Sequence, residues 1–123
     1  MGINVVVKSY RKEVEKKIDD DLTKKMERVG LIVENQAKEN VNQLPPEHPQ
    51  VQTGQLRSSI THEVENTKDE HIALIGTPVK HGLYLELGTI NMPAYSWLMP
   101  AVEMSRDKIK DTLKTDIKAE LSY

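Results

Sequence analysis

Apolar residues recur at steps of four or three along Val14, Ile18, Leu22, Met26, Val29, Val33, Ala37 and Val41, with Lys16, Lys17, Asp20, Lys24, Glu27, Glu34 and Lys38 between them. That spacing lays one apolar stripe along a helix and predicts an amphipathic α-helix from about Tyr10 to Val41. At 1.5 Å per residue it would run roughly 45 Å, longer than the roughly 35 Å diameter expected of a globule of this size. Either Gly30 interrupts it, or the charged first half, Arg11 to Lys25, projects toward a neighbouring subunit. The cluster Val29, Leu31, Ile32 and Val33 marks the second half as the more deeply buried. A second stripe, Leu98, Val102, Ile109, Leu113, Ile117 and Leu121, predicts a C-terminal helix from Trp97 or Pro100 to about Leu121. Pro100 suits a first turn, where its missing N–H is not needed.

Between these helices the pattern changes period. Ile60, His62 and Val64 alternate with Thr61, Glu63 and Glu65, and the run from Glu70 to Thr77 is apolar on both faces. With NTKD as turn material between them, this predicts an antiparallel hairpin whose second strand is the more central. Ile3 to Val7 reads as a short strand, so that residues 1–9 form an extended arm or an edge strand. The stretch 42–53 holds three Pro and no periodicity, which makes it a loop; Leu44 to Val51 is expected to face solvent and to be used in assembly. Thr53 can cap a short helical turn that leads Ile60 into the hairpin. After Pro78, KHGLYLELG reads as two turns of helix, with Leu83 and Leu87 at helical spacing and Gly88 as terminator; a strand is the alternative. The fold class is therefore α+β, a long N-terminal and a C-terminal helix packed on a small antiparallel sheet, with residues 1–123 as one domain.

Composition narrows the chemistry. Lys plus Arg total 17 against 19 Asp plus Glu, a net charge of −2, so there is no overall basic field to hold nucleic acid. The absence of Cys removes disulfides, thiolate metal sites and Cys nucleophiles, and is compatible with a reducing compartment. The apolar run at the N-terminus is too short for a signal peptide or a membrane span, which leads us to expect a soluble protein made inside the cell, with no membrane contact.

The densest stretch is Ile75 to Ala101, which holds the only Trp, two of the four Tyr, three of the six Pro and three of the six Gly. Gly and Pro fix backbone geometry and aromatics supply buried area, so such a segment forms a docking corner or a site. Glu86, between Leu85 and Leu87, either faces solvent or accepts hydrogen bonds from the backbone of Gly88 and Thr89. With no Phe in the chain, Trp97 is expected in the core and Tyr95 to be the more exposed, with Pro93 to Pro100 leading into the last helix.

Several segments, in order, resemble a known family. Thr53, Gly54, Leu56, Ser59 and Ile60 are similar to T-G-x-L-x-x-S-I; Ile75, Gly76 and Thr77 to a strand ending V-G-T; Glu86, Gly88 and Thr89 to Y-A-x-x-x-E-x-G-T; and Ala94, Leu98, Pro100 and Ala101 to A-R-P-F-L-x-P-A before a C-terminal helix. The leading helix ending in QAKEN is also similar. The pattern is that of the tail-component family of bacteriophage neck proteins, typified by gene product ten of a lambda-like long-tailed coliphage. The chain departs from it at His81-Gly82 for Tyr-Ala, at Tyr95-Ser96 for Arg-Pro, at Trp97 for Phe and at Gln52 for Asp. The resemblance implies a virion or prophage structural subunit at the neck, joining the capsid connector to the tail. It further implies a homo-oligomeric ring contacting connector and tail proteins, with DNA only as passing cargo and no cofactor.

Two other function classes are weighed against this. His62, His71 and His81 with Glu86 would supply ligands for a small metal-dependent hydrolase, but no HxH or HExxH spacing occurs, and surface His is the plainer reading. A small nucleic-acid module would need a local basic patch. Thr53-Gly54 as a phosphate cradle lacks a following Lys, so a capping turn is preferred.

Overall fold

The computed structural model describes residues 2–9, 16–43, 53–66, 71–115 and 117–123, with side chains from residue 22 in the first helix and from residue 54 in the second. The order is β1 (Ile3–Ser9), α1 (Lys16–Asn42), α2 (Thr53–Ser59), β2 (Thr61–Asn66), β3 (His71–Thr77), α3 (Lys80–Leu87), α4 (Met99–Leu113) and β4 (Ile117–Ser122). The strands form one antiparallel sheet in the order β2-β3-β1-β4, with α1 packed on β2 and β3 and α4 on α1. This is the α+β arrangement the pattern predicts, with both helices and the β2-β3 hairpin in place.

The α1 stripe is buried as its spacing requires: Leu22, Met26, Val29, Val33, Ala37 and Val41 are all at most 1 % exposed. They meet Val5, Val7, Ala73 and Ile75 from the inner face of the sheet and Val102, Ile109 and Leu113 from α4 in one core. Gly30 does not interrupt the helix. It lies against the His62 ring instead: a Cβ there would sit 2.5 Å from Cδ2 and 2.9 Å from Cγ of His62. The glycine lets the edge strand β2 approach the helix closely enough for His62 Nδ1 to lie 2.9 Å from Glu34 Oε1 and for Nε2 to lie 3.3 Å from Glu27 Oε2. Gly30→Ala is accordingly expected to lose roughly 1–2 kcal/mol, the overpacking penalty outweighing the better helix propensity of Ala. Urea unfolding measures this, and a variant as stable as the parent would refute the close-packing role.

Two expectations are corrected. β1 is neither an arm nor an edge; it pairs with β3 on one side and β4 on the other, because three alternate inward residues, Ile3, Val5 and Val7, are buried between them. The C-terminal helix ends at Leu113, where Lys114 takes a left-handed conformation (φ 60°) and donates its N–H to Lys110. Ile117 and Leu121 then belong to a strand, since a spacing of four fits the two-residue period of a strand as well as a helical turn. Of the cluster in the second half of α1, Val29 and Val33 are fully buried, Ile32 is half-buried and Leu31 is 47 % exposed. The two helical turns expected after Pro78 form as α3, with Gly88 at its end; its buried positions are Gly82, Leu85 and Glu86, with Leu87 exposed and Leu83 half-buried. The start of the first helix at Tyr10, the Thr67 to Asp69 part of the NTKD turn and the Leu44 to Val51 segment lie outside the described residues, as do the side chains of the Arg11 to Asp21 part of the first helix.

Candidate functional site

The four motif segments, separate in sequence, meet at one corner. α2 follows a Thr-Gly start and buries Leu56, and Ile60 is buried where the chain turns into β2. Ser59 Oγ donates to Leu56 O at 2.7 Å and shares a hydrogen bond with Thr77 Oγ1, which also accepts the Val79 N–H at 3.1 Å. One serine thus ties the end of α2 to the end of β3 and the entry to α3. Gly82 lies at the meeting point: a Cβ there would be 2.6 Å from Thr77 Cγ2, 2.8 Å from Leu56 Cδ1 and 3.1 Å from Trp97 Cζ2. Trp97 is fully buried, and its indole N–H donates to Gly82 O at 3.0 Å.

Glu86 is the electrostatic centre. Its side chain is 4 % exposed and accepts three backbone N–H groups: Trp97 at 2.8 Å and Leu98 at 2.7 Å on Oε1, and Met99 at 3.2 Å on Oε2. These lead into α4, whose own N-cap, Leu98, has no side-chain cap. The next residue, Pro100, has no N–H, and the Ala101 and Val102 amides bond Leu98 O. Every amide from 97 to 102 is therefore accounted for, as buried helix starts require. A carboxylate at the positive end of the α4 dipole is favourable in its own right. Both expectations for Glu86 are corrected: it does not face solvent, and its donors are the amides of Trp97, Leu98 and Met99 and not those of Gly88 and Thr89.

Gly88 and Thr89 have a different task. Gly88 adopts φ 77° and returns its N–H to Tyr84 O at 2.7 Å, ending α3. Thr89 and Met92 then pair through two backbone hydrogen bonds, and Thr89 Oγ1 accepts the Asn91 N–H. Exposed Pro93 follows; half-buried Tyr95 donates its N–H to Leu85 O at 2.6 Å, and Ser96 Oγ donates to Glu86 O. Tyr95 is more exposed than Trp97, as expected.

Sequence reasoning missed two participants. Asn40 Nδ2 donates to Trp97 O at 3.1 Å, joining the last turns of α1 to the corner, and it accepts from Gln36. The signal was the Asn of QAKEN, which gives no hint of a partner 57 residues away. Gly82 was visible only as a departure from a family pattern.

Gly54 is exposed, with nothing among the described residues within 4 Å of a Cβ, and it lines an open cavity of about 280 Å³ with Lys38, Arg57 and Ser58; the Thr53 side chain lies outside the described residues. The histidines are not brought together: His62 faces Glu27 and Glu34, His71 Nδ1 lies 2.7 Å from Asn66 Oδ1, and His81 Nε2 is buried without a hydrogen-bond partner among the described residues. No group of three or more His, Asp or Glu suited to a metal ion occurs among the described residues. On the solvent side of α4, Arg106 hydrogen-bonds Glu103 and holds its carboxyl below the usual range.

What the arrangement does chemically is hold itself. Both Glu86 oxygens are occupied by amides, and the surrounding groups are a Trp, a Gly and two hydroxyls already engaged with each other. No curated protein and no solved structure matches the chain. The sequence does match the profile of the family described as "Bacteriophage HK97-gp10, putative tail-component" over residues 7–88.

Proposed function

The chain belongs to the HK97 gp10-like family of bacteriophage tail components, and from that premise we propose that it is a non-enzymatic neck subunit, joining the capsid connector to the tail or completing the tail. The carrying observation is the family match across residues 7–88, which takes in α1, the hairpin and the Glu86-Gly88 segment. The corner supports the same reading, because its carboxylate is consumed in bracing a helix start. In the particle the subunit forms a homo-oligomeric ring, as a single 123-residue domain, in contact with connector and tail proteins. A net charge of −2 suits a conduit that passes DNA without gripping it. No helix among the described residues is long and apolar enough to cross a membrane, in keeping with a virion location.

Deleting the gene from the phage or prophage that carries it tests this. Electron microscopy of induced lysates is expected to show filled heads and free tails that fail to join, restored to tailed particles by the wild-type chain supplied in trans. Normal tailed particles from the deletion would overturn the proposal.

A further inference from the structure

The sheet ends in two edge strands of opposite character. In the order β2-β3-β1-β4, β2 and β4 each have one strand neighbour among the described residues, so one row of backbone N–H and C=O groups on each points away from the sheet. Such an edge is a template for a further strand unless its side chains oppose one. On the face turned from the helices β2 carries Thr61, Glu63 and Glu65, and β4 carries Lys118, Glu120 and Ser122, all exposed.

Charge decides which edge accepts a second copy of itself. Side chains alternate with a period of two, so an added strand continues the sheet only in registers that keep inner residues beside inner ones. For β2 on β2, antiparallel, the two such registers with the longest overlap are centred on Glu63 and on Val64. The first sets Glu63 against Glu63 and the second sets Glu63 against Glu65 twice, like charges in both. For β4 on β4 they are centred on Ala119 and on Glu120. Centring on Glu120 opposes that residue to itself, whereas centring on Ala119 pairs Lys118 with Glu120 and Glu120 with Lys118, two opposite-charge pairs and no like one. Within the chain Lys118 stands opposite Lys8 and Glu120 opposite Val6, so the added strand supplies the cross-strand counter-charge that β1 does not. The same register sets Ile117 beside Leu121 and Ala119 beside Ala119 on the helix side, where Ala119 and Leu121 are half-buried in the single chain. Joining β4 to β2 along their full length is less favourable, because Lys118 against Glu65 is offset by Glu120 against Glu63.

We propose that β4 pairs antiparallel with β4 of a second copy of the chain, about a two-fold axis at Ala119, joining the two sheets into one with all helices on the same side. The contact is isologous and closes at two subunits. A ring with one end on the connector and the other on the tail needs head-to-tail contacts. This pairing therefore belongs to the chain outside the particle, and it stands independently of the neck reading.

Sedimentation velocity of the full chain over a concentration series is expected to show a monomer–dimer equilibrium. Lys118→Glu and Glu120→Lys each turn both opposite-charge pairs into like ones and should weaken self-association about tenfold. Mixing these two variants re-creates opposite charges across the axis and should restore the dimer, as should both substitutions in one chain. Lys80→Glu, the same charge change at an exposed position on α3, is expected to leave association unchanged. The chain has no Cys, so Ala119→Cys reads the register directly. Residues opposed across an antiparallel pair have Cα atoms about 4.5–5.5 Å apart, within disulfide reach, and mild oxidation should give a 119–119 linked dimer. A chain that stays monomeric, or Lys80→Glu weakening association as much as Lys118→Glu, overturns the pairing. So does a mixed product of Ala119→Cys with Val64→Cys that exceeds the 119–119 dimer, in favour of β4 on β2.

Discussion

Glu86→Ala is expected to remove about 3–5 kcal/mol of folding stability, because it deletes an acceptor shared by three buried amides. The Trp97, Leu98 and Met99 N–H groups have no alternative partner, since Pro100 and the Leu98 carbonyl already complete the first turn of α4. Against a typical total of 5–15 kcal/mol that is a large fraction. Glu86→Gln separates the contributions. With its amide oxygen in the Oε1 position it still accepts from Trp97 and Leu98, but its NH₂ then faces the Met99 N–H, donor against donor. A loss of about 1–3 kcal/mol is expected for Gln, from one unsatisfied amide and the loss of charge assistance. Urea unfolding at neutral pH gives both values, and amide exchange at 97 to 99 should quicken in each variant. An Ala variant within about 1 kcal/mol of the parent would show that the amides find other partners, and the bracing role would fall.

How far the sequence could be read depends on where the information sits. α1 was legible because burial imposes a 3.6-residue rhythm on its own residues, and Leu22 through Val41 all obey it. The hairpin was legible for the same reason, with His62 and Val64 alternating against Glu63 and Glu65. β4 was not, because Ile109, Leu113, Ile117 and Leu121 are evenly spaced by four, a step that helix and strand share; what separates them is the left-handed Lys114, which carries no sequence mark. The central position of β1 was hidden with it, since an N-terminal strand looks like an edge until its second partner is known. At the corner, the motif residues Leu56, Ser59, Thr77, Glu86 and Trp97 were identified, but who binds whom was not. Glu86 meets residues 11 to 13 positions away through a turn whose path is set by Gly88 and the Thr89–Met92 pairing, and a nearest-neighbour reading could only offer Gly88 and Thr89.

Trp97→Ala is expected to cost about 3–5 kcal/mol, the range for emptying a fully buried aromatic site. It would leave the Gly82 carbonyl without its indole donor and open a void beside Leu56 and Thr77. A severe loss alone would not show that Trp97 and Gly82 are fitted to each other, so the decisive measurement is a cycle of milder changes. Gly82→Ala forces a methyl to within 3.1 Å of Trp97 Cζ2 and closer still to Thr77 Cγ2 and Leu56 Cδ1, an overpacking expected to cost about 1–3 kcal/mol. Trp97→Phe removes the indole N–H and the ring edge that carries Cζ2, at an expected cost of about 1–3 kcal/mol. In the double variant the Ala methyl grows toward the space the smaller ring vacates. The two losses should then sum to less than their parts by about 1 kcal/mol, a coupling of the size found between residues in contact. A strictly additive cycle would mean that Thr77 and Leu56, and not the indole, set the room at position 82. The Gly82–Trp97 contact would then rest on the indole N–H to Gly82 carbonyl hydrogen bond, and the need for glycine at position 82 on Thr77 and Leu56.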